Sequence, residues 1–373
     1  MKLKPIVLLS AVGVLASSVL TAQPLGLPAV PVPADNPQTP QKIALGEKLY
    51  NDKRLSATGE VGCVSCHAPG KGFTDNLKTS EGIKKLTGTR NAPTVINAAY
   101  NKTQFWDGRE PDLEGQSTQP FVNPVEHGLV DHEALLALVR ADDDYVVSFK
   151  EVFDVDKADI SMDELSRAIA SFERTIVAGD SPFDHWFYAG DEKAMSEQQV
   201  RGYNLFIGKA RCVSCHTIEQ TQALFTDNRF HNIGVGFSTI KDGEAATAEA
   251  FIAKKRGGAD VDITVLTDTN MSELGRFAVT ENVTRIGAFK TPTLRNVELT
   301  EPYMHDGSIK SLTKVVKFYN NGGRVKDTDP VSGFQSGGIR PLGLDKQEIK
   351  DVVAFMEALT SPNTDQLGKL AEK

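Results

Sequence analysis

The pentapeptide Cys63-Val64-Ser65-Cys66-His67 occurs a second time, without a change, as Cys212-Val213-Ser214-Cys215-His216. The two copies contain all four cysteines of the chain and two of its seven histidines. Cys-x-x-Cys-His is the attachment sequence of c-type haem, in which two thiols bind the porphyrin and the histidine ligates iron. Structural zinc would explain the cysteines but not a histidine after both pairs. We therefore predict two covalently bound haem c groups, attached through Cys63, Cys66, Cys212 and Cys215 and ligated by His67 and His216.

The N-terminus has the pattern of a secretory signal. Lys2 and Lys4 precede an apolar stretch over residues 6–20, and Thr21-Ala22-Gln23 offers a cleavage zone. We therefore predict a signal peptide over residues 1–22 and export to the periplasm of a Gram-negative bacterium. Residues 23–40 are rich in proline and are predicted to form an extended linker.

The charge of the chain limits its partners. Loss of the signal peptide would remove two lysines and no acidic residue, which takes the net charge from −8 to −10. An acidic chain argues against nucleic acid as a partner and permits a basic or dipolar electron donor. No later segment approaches 18 uninterrupted apolar residues, so we expect a soluble mature protein.

The two halves of the chain can be aligned with each other. Phe73-Thr74-Asp75-Asn76 recurs as residues 225–228, and residues 92–97 match residues 291–296 at an offset of 199. The same offset pairs Asp107-Gly108 with residues 306–307 and Asp112-Leu113 with residues 311–312. The haem motifs are offset by only 149, so the second half contains about fifty extra residues, which we place between Gly236 and Arg276. We predict two duplicated haem domains, over residues 41–180 and 181–373.

Helical patterns surround both motifs. Ser161-Met162-Asp163-Glu164 has the sequence of a capping box at the start of a helix. Residues 349, 352, 356 and 359 form an apolar stripe with helical spacing, and few stretches show the alternation typical of strands. The predicted fold class is therefore mainly α, with two cytochrome c-like haem domains related by internal duplication.

The offset of 199 also compares the faces of the two haems that lie opposite the motif histidines. It pairs Tyr319 in the second half with Pro120 in the first. A tyrosine oxygen can bind ferric iron, whereas proline has no side-chain ligand atom. The pairing therefore predicts one six-coordinate haem and one haem with an open face, where peroxide can bind.

The chain resembles the bacterial di-haem cytochrome c peroxidase and MauG family along nearly all of its predicted mature length. The resemblance implies that the N-terminal haem reacts with peroxide and that the C-terminal haem stores and relays electrons. Besides the two haem motifs, it is carried by residues 91–94, Phe105-Trp106-Asp107-Gly108-Arg109, residues 120–126, and residues 294–296 through 303–307.

The resemblance assigns roles to several of these residues. Glu126 matches the distal acid–base group on the same face of the first haem as Pro120, and Trp106 assists electron transfer between the haems. Gln116 is expected to form a hydrogen bond either on that face or near the tyrosine of the second haem. His231 is expected near the propionates of the second haem, and His305 near a propionate or the domain junction. One calcium ion is expected near that junction, with a ligand set that maps onto Asn91, Thr300 and Pro302.

Two departures separate the chain from the ordinary peroxidase branch, and a third separates it from the MauG-like branch. Tyr319 takes the place of an axial Met, as in the MauG-like branch; Met304 is the alternative ligand, although the family spacing favours Tyr319. The loop over residues 71–87 contains no His, and the position of the usual gating His falls at Ile83. An aromatic relay residue of MauG-like proteins is replaced by Ala210. The first haem should therefore be open in the fully ferric protein.

Three functions stay in competition. The first is a periplasmic peroxidase that reduces hydrogen peroxide to water with electrons from a small c-type cytochrome or a blue copper protein. The second is a MauG-like enzyme that uses ferryl chemistry shared by both haems to oxidise a Trp or Tyr of a partner protein. The third is a non-enzymatic di-haem electron carrier, against which Pro120 and Glu126 argue. The resemblance also allows a homodimer.

Overall fold

The computed structural model describes residues 23–240 and 243–362, together with Thr364 and Leu367. The predicted signal peptide lies outside these residues. Within them the chain is mostly helical, and two short strands, β1 (Phe230–His231) and β2 (Phe289–Lys290), form an antiparallel pair. In the described part of the chain, no helix has the length and apolar character needed to cross a membrane. The mainly α fold class is confirmed.

Fourteen α-helices, numbered in chain order, lie within the described residues. They are α1 (Pro40–Asn51), α2 (Cys63–Cys66), α3 (Leu113–Val122), α4 (His132–Ala141), α5 (Asp143–Phe153), α6 (Met162–Glu173), α7 (Pro182–Phe187), α8 (Glu197–Ile207), α9 (Glu244–Arg256), α10 (Val261–Thr267), α11 (Thr269–Ser272), α12 (Phe277–Thr280), α13 (Leu312–Asn320) and α14 (Lys346–Glu357).

The first half is built around a crossing of α1 and α6. Ser161 caps α6, and its backbone N–H donates to Glu164, so the capping box predicted from the sequence is confirmed. The two helices meet at Gly46, where a methyl group would overlap the carbonyl oxygen of Ala168. Glycine at this position therefore lets the backbones approach more closely than any other residue would.

The second half repeats this crossing with α8 and α14. A methyl group at Gly202 would overlap the carbonyl oxygen of Asp351 in the same way. The predicted apolar stripe of α14 is buried, at Ile349, Val352, Met356 and Leu359. Each haem motif therefore lies next to an equivalent pair of crossing helices, as a duplication requires.

The offset of 199 holds in three dimensions. Helices α3 and α13 begin at Leu113 and Leu312, and they are capped by the side chains of Asp112 and Ser311. The paired residues Asn97 and Asn296 are both left-handed, with φ of 64° and 59°. The predicted pairing of Pro120 with Tyr319 is therefore a pairing of equivalent positions near the ends of two equivalent helices.

The extra residues of the second half form a small helical segment. Helices α9 to α12 enclose their own core of buried residues, which includes Phe251, Val265, Leu274 and Phe277. Val125 of the first half packs against this core. The insertion, which we call the inserted segment (residues 243–280), therefore covers part of the first domain although it belongs to the sequence of the second.

The proline-rich stretch, predicted to be an extended linker, contains turns at residues 25–26 and 34–35 and packs against the rest of the molecule. Leu27 is buried, and the backbone N–H of Leu25 donates to Asp180 at 2.9 Å. The carbonyl oxygen of Gly26 accepts from Arg295 and from the backbone N–H of Ala223. These partners lie on both halves of the molecule. The prediction of a linker is therefore corrected to a segment that packs against both halves.

Candidate functional site

Both motif histidines are held by the same backbone contact. Nδ1 of His67 donates to the carbonyl oxygen of Phe73 at 3.3 Å, and Nδ1 of His216 donates to that of Phe225 at 2.8 Å. Both phenylalanines are fully buried, with φ of 54° and 51°. A bond at Nδ1 leaves Nε2 as the ligand atom and fixes the ring orientation. Burial also lowers the pKa of both imidazoles, which keeps them neutral, as iron ligation requires.

A cavity of about 580 Å³ opens beside the second motif. Cys212, Cys215 and His216 form one part of its wall, and most of the remaining wall is apolar. A large, mainly apolar cavity with two thiols and one imidazole matches the chemistry of a covalently held porphyrin. The four cysteines are free, and neither motif gathers a four-ligand zinc site within the described residues.

Two candidate axial ligands face this cavity. Tyr319, in the last turn of α13, and Met304, in a left-handed turn with φ of 77°, both line it. Burial raises the pKa of the Tyr319 phenol well above its usual range, so the ring is neutral until a cation is bound beside it. The choice of Tyr319 over Met304 stays a prediction.

Trp106 lies where the two halves meet. Its indole Nε1 donates to the carbonyl oxygen of Asn91 at 2.8 Å, and its own carbonyl oxygen accepts from the backbone N–H of Lys290 at 2.8 Å. Trp106 also lines the cavity that contains His216. The ring therefore connects the first half to the wall of the second cavity, and its role as a relay between the haems stays a prediction.

The two other predicted histidines lie on the same cavity but have different partners. Nε2 of His231 is 2.8 Å from a carboxylate oxygen of Asp227. His305 is buried, its Nε2 is 2.8 Å from Glu273 of the inserted segment, and its ring stacks on Phe289 with 3.5 Å between centroids. His305 therefore has the surroundings of a junction residue. The propionate role of His231 stays a prediction.

The three predicted calcium ligands, Asn91, Thr300 and Pro302, line one side of the cavity. Nδ2 of Asn91 donates to the carbonyl oxygen of Leu77 at 2.9 Å, which leaves the side-chain oxygen as the atom for a cation. Oxygen atoms of this kind suit calcium. The arrangement is compatible with the ion, and its presence stays a prediction.

The predicted peroxide site is built from α3 and the turn that follows it. Gln116 and Pro120 are four residues apart and therefore share one face of α3. The turn is closed by the carbonyl oxygen of Asn123, which accepts from the backbone N–H of Glu126 and of Gly128. This turn sets the direction in which the Glu126 side chain leaves the backbone.

The loop that lacks the gating histidine closes over this turn. The backbone N–H of Ile83 donates to the carbonyl oxygen of Glu126 at 2.9 Å. Ile83 is buried, and a methyl group on Gly128 would overlap its side chain. An apolar residue without a ligand atom therefore occupies the position predicted for the gating His.

The electrostatic surroundings of Glu126 suit an acid–base group. Burial and the charge of Asp262 raise the pKa of its carboxyl from 4.5 to about 8, against the opposing charge of Arg109. A group that exchanges a proton near neutral pH is more useful in catalysis than an ordinary surface carboxylate.

Two residues that frame this site could not be recognised from the sequence. Asp262, in the inserted segment, accepts from Arg109 and from Asn123. The inserted segment has no counterpart in the first half, so the internal alignment could not pair Asp262 with anything. Arg109 was included only as part of a family motif, and its contacts could not be read from the sequence.

The chain is similar to known proteins over most of its length. Residues 40–193 match the family described as di-haem cytochrome c peroxidase, and residues 199–360 match cytochrome c. The chain is 40% identical to cytochrome-c peroxidase IdrP1 of Denitromonas iodatirespirans, over 90% of this chain and 86% of that protein. It is 34% identical to methylamine utilization protein MauG of Methylorubrum extorquens, over 89% of this chain and 81% of that protein.

A solved structure of a MauG-like protein associated with microbial copper homeostasis superimposes with a TM-score of 0.74 at 31% identity, covering 92% of this chain and 96% of that one. The predicted resemblance is therefore confirmed at the level of sequence and fold. The paired haem motifs and the matching folds of the two halves lead to the same conclusion: the chain belongs to the di-haem cytochrome c peroxidase and MauG family.

Proposed function

We propose that this protein is a di-haem c-type peroxidase that reduces hydrogen peroxide to water at its first haem site, with electrons that enter through its second. The observation that carries the proposal is the difference between two equivalent positions, Pro120 on α3 and Tyr319 on α13. Proline offers no side-chain ligand atom, so the face above His67 is left for an oxidant.

Haem iron, when bound, supplies the coordination position for peroxide and the electrons that break its O–O bond. The chain supplies the proton transfer. Glu126 accepts a proton from the inner peroxide oxygen and donates it to the outer one, so that water leaves. Two protons and two electrons are consumed for each peroxide, and two water molecules form. Gln116, on the same face of α3 as Pro120, orients the peroxide by a hydrogen bond.

Electrons reach the first site across the domain junction. Trp106 contacts Asn91 in the first half and Lys290 in the second, and its ring lines the second haem cavity. This continuity supports Trp106 as the route between the haems. A small c-type cytochrome or a blue copper protein is the proposed donor, and the acidic charge of the chain favours a donor with a basic or dipolar surface. We also propose export to the periplasm.

One observation favours the MauG-like alternative, in which a partner protein is oxidised. A run of aromatic rings leads away from the cavity, with centroids 5.0 Å apart for Phe206–Phe355, 5.6 Å for Phe355–Tyr203 and 5.1 Å for Tyr203–Trp186. Phe206 lines the cavity and Trp186 is half-buried. This run offers a route for electrons although Ala210 replaces the expected relay residue, and it is also the core of the second domain.

The two functions are separated by one experiment on the fully oxidised holoprotein. Peroxide is added with and without a reduced small cytochrome, and donor oxidation and the absorption spectrum are followed. Stoichiometric, repeated oxidation of the donor is expected for the peroxidase. A long-lived spectral change with negligible donor oxidation would instead favour the partner-oxidising enzyme. A ferric spectrum that is purely low-spin and does not respond to peroxide would leave only the electron carrier.

A further inference from the structure

We propose that the inserted segment is part of the peroxide site, with Asp262 as a positioning residue that fixes Glu126 through Asn123 and Arg109. The inference rests on the proposed function because it assumes that Glu126 acts on peroxide. It adds a residue from the second half of the sequence to a site built by the first half.

The carboxylate of Asp262 bridges two elements of the first domain. One oxygen accepts from Nε of Arg109 at 2.7 Å, and the other accepts from Nδ2 of Asn123 at 2.6 Å. Both partners are buried, as is Asp262. A buried carboxylate with a charged and a neutral donor is a strong, directional contact, because hydrogen bonds to ionised groups are stronger than neutral ones.

Asn123 links Asp262 to the turn that contains Glu126. It is fully buried, and its side-chain oxygen accepts from the backbone N–H of Val125 at 3.1 Å. Its carbonyl oxygen accepts from the backbone N–H of Glu126 at 3.1 Å and of Gly128 at 2.9 Å. Asn123, whose side-chain amide is bound by Asp262, therefore makes the hydrogen bonds that close the turn containing Glu126.

Arg109 is the second link. Its guanidinium also pairs with Asp107 at 3.0 Å, and it lies 3.6 Å from the centroid of the Phe105 ring. Asp107 is in turn paired with Arg90, which donates to the carbonyl oxygen of Ser272 in the inserted segment. The inserted segment thus contacts the first domain twice through this network, at Asp262 and at Ser272.

Two charged side chains shift the pKa of Glu126. Asp262, from α10, raises it, and Arg109, from the loop that precedes α3, lowers it. Replacing the Asp262 carboxylate with a neutral amide removes a repulsive charge and leaves Arg109 unpaired on that side. Both changes favour the ionised form of Glu126.

A purely structural role for Asp262 is the competing explanation, because it lies in the first turn of α10, where acidic residues stabilise helices. Asp260 provides the matched control. It caps the same helix by accepting from the backbone N–H of Ile263, and it is exposed. Asp260→Asn therefore removes the same charge from the same helix without changing the contacts to Arg109 and Asn123.

The test compares the holoproteins of wild type, Asp262→Asn, Asp262→Glu and Asp260→Asn. Peroxide turnover is measured against pH, and the pH dependence of cyanide binding to the ferric protein is followed by absorption as a readout that needs no turnover. For Asp262→Asn we expect the midpoint of both profiles to fall by about one pH unit. Asp262→Glu should keep the wild-type midpoint but lose about tenfold in turnover, because the carboxylate is displaced. Asp260→Asn should change neither.

Unchanged midpoints in a folded Asp262→Asn protein would overturn the proposal, and so would wild-type turnover in Asp262→Glu. The second outcome decides the question even where the Asn variant does not fold. Thermal unfolding of each variant identifies loss of structure. A wild-type protein without peroxide turnover, but with a cyanide midpoint that moves in Asp262→Asn, would refute the proposed function and keep the positioning role.

Discussion

Helices α3 and α13 are the same element used for two purposes. Both begin after a side-chain cap, and both follow a left-handed Asn by the same distance. Their sequences differ at most positions, and the pair that matters for the haem is Pro120 in the first and Tyr319 in the second, near the end of each helix. The comparison teaches that the scaffold of a haem domain is separate from its reactivity, which depends on the residue opposite the motif histidine.

The surroundings of the two helices differ as well. The cavity next to α13 is lined largely by residues of the second half, including Val316, Leu344 and Met356. The turn after α3 is instead enclosed by Asp262 and the core of the inserted segment. The inserted segment therefore covers the proposed peroxide site, and its Glu273 also contacts His305 in the wall of the second cavity.

The largest effect should come from Glu126, which has no counterpart in the second half. Glu126→Gln keeps the shape of the side chain but removes its proton exchange. We expect peroxide turnover to fall about 10²- to 10⁴-fold, the usual contribution of a positioned acid–base group. The steady-state rate with a reduced cytochrome measures it. Glu133→Gln, an exposed acid on α4, is the control and should retain activity; a Glu126→Gln protein with wild-type turnover would remove Glu126 from the mechanism.

The pH profile should report the same group. Because burial raises the pKa of Glu126 from 4.5 to about 8, its carboxyl is mostly protonated at neutral pH and becomes a carboxylate as the pH rises. A proton acceptor must be unprotonated, so turnover should rise about tenfold per pH unit below pH 8 and level off above it. The rising part of the profile should be absent in Glu126→Gln. A wild-type profile that is flat between pH 6 and 9 would contradict this assignment.

A substitution in the second domain tests the same comparison by giving the second haem the Met ligand of the ordinary peroxidase branch. A thioether favours ferrous iron more than a phenolate does, so Tyr319→Met should raise the potential of the second haem. We expect a rise on the order of 0.1 V, within the span of about 0.8 V set by axial ligands. A spectroelectrochemical titration measures it. Met304→Leu is the matched control and should leave the potential unchanged; the reverse result would make Met304 the ligand.

The features that repeat could be predicted from the sequence, because each copy tests the other. The haem motifs, the offset of 199 and the pairing of Pro120 with Tyr319 all depend on local patterns that occur twice. The repeat of residues 73–76 as residues 225–228 could also be recognised in the sequence, but its structural role could not. The structure shows that its first residue supplies the carbonyl oxygen for the motif histidine.

The features that occur once could not be predicted. Asp262 and Asn123 are 139 residues apart in the sequence, and no local sequence pattern indicates that their side chains are in contact. The proline-rich stretch was predicted to be an extended linker, because proline restricts the backbone. Its packing depends on distant partners such as Asp180 and Arg295, and composition carries no information about them.

The smallest effect tests the duplication itself. Gly46 and Gly202 occupy the same place in the two helix crossings, and a methyl group at either would overlap a backbone carbonyl oxygen that cannot move aside alone. Gly46→Ala and Gly202→Ala should each lower the free energy of unfolding by about 1–3 kcal/mol, the usual cost of overpacking, despite the better helix propensity of Ala. Thermal unfolding with haem content measures both, and Gly70→Ala, which meets no atom within 4 Å, is the control. Equivalent halves require similar losses at Gly46 and Gly202. A large loss at one and none at the other would mean that the two domains tolerate different helix separations, and that their likeness ends at the haem motifs.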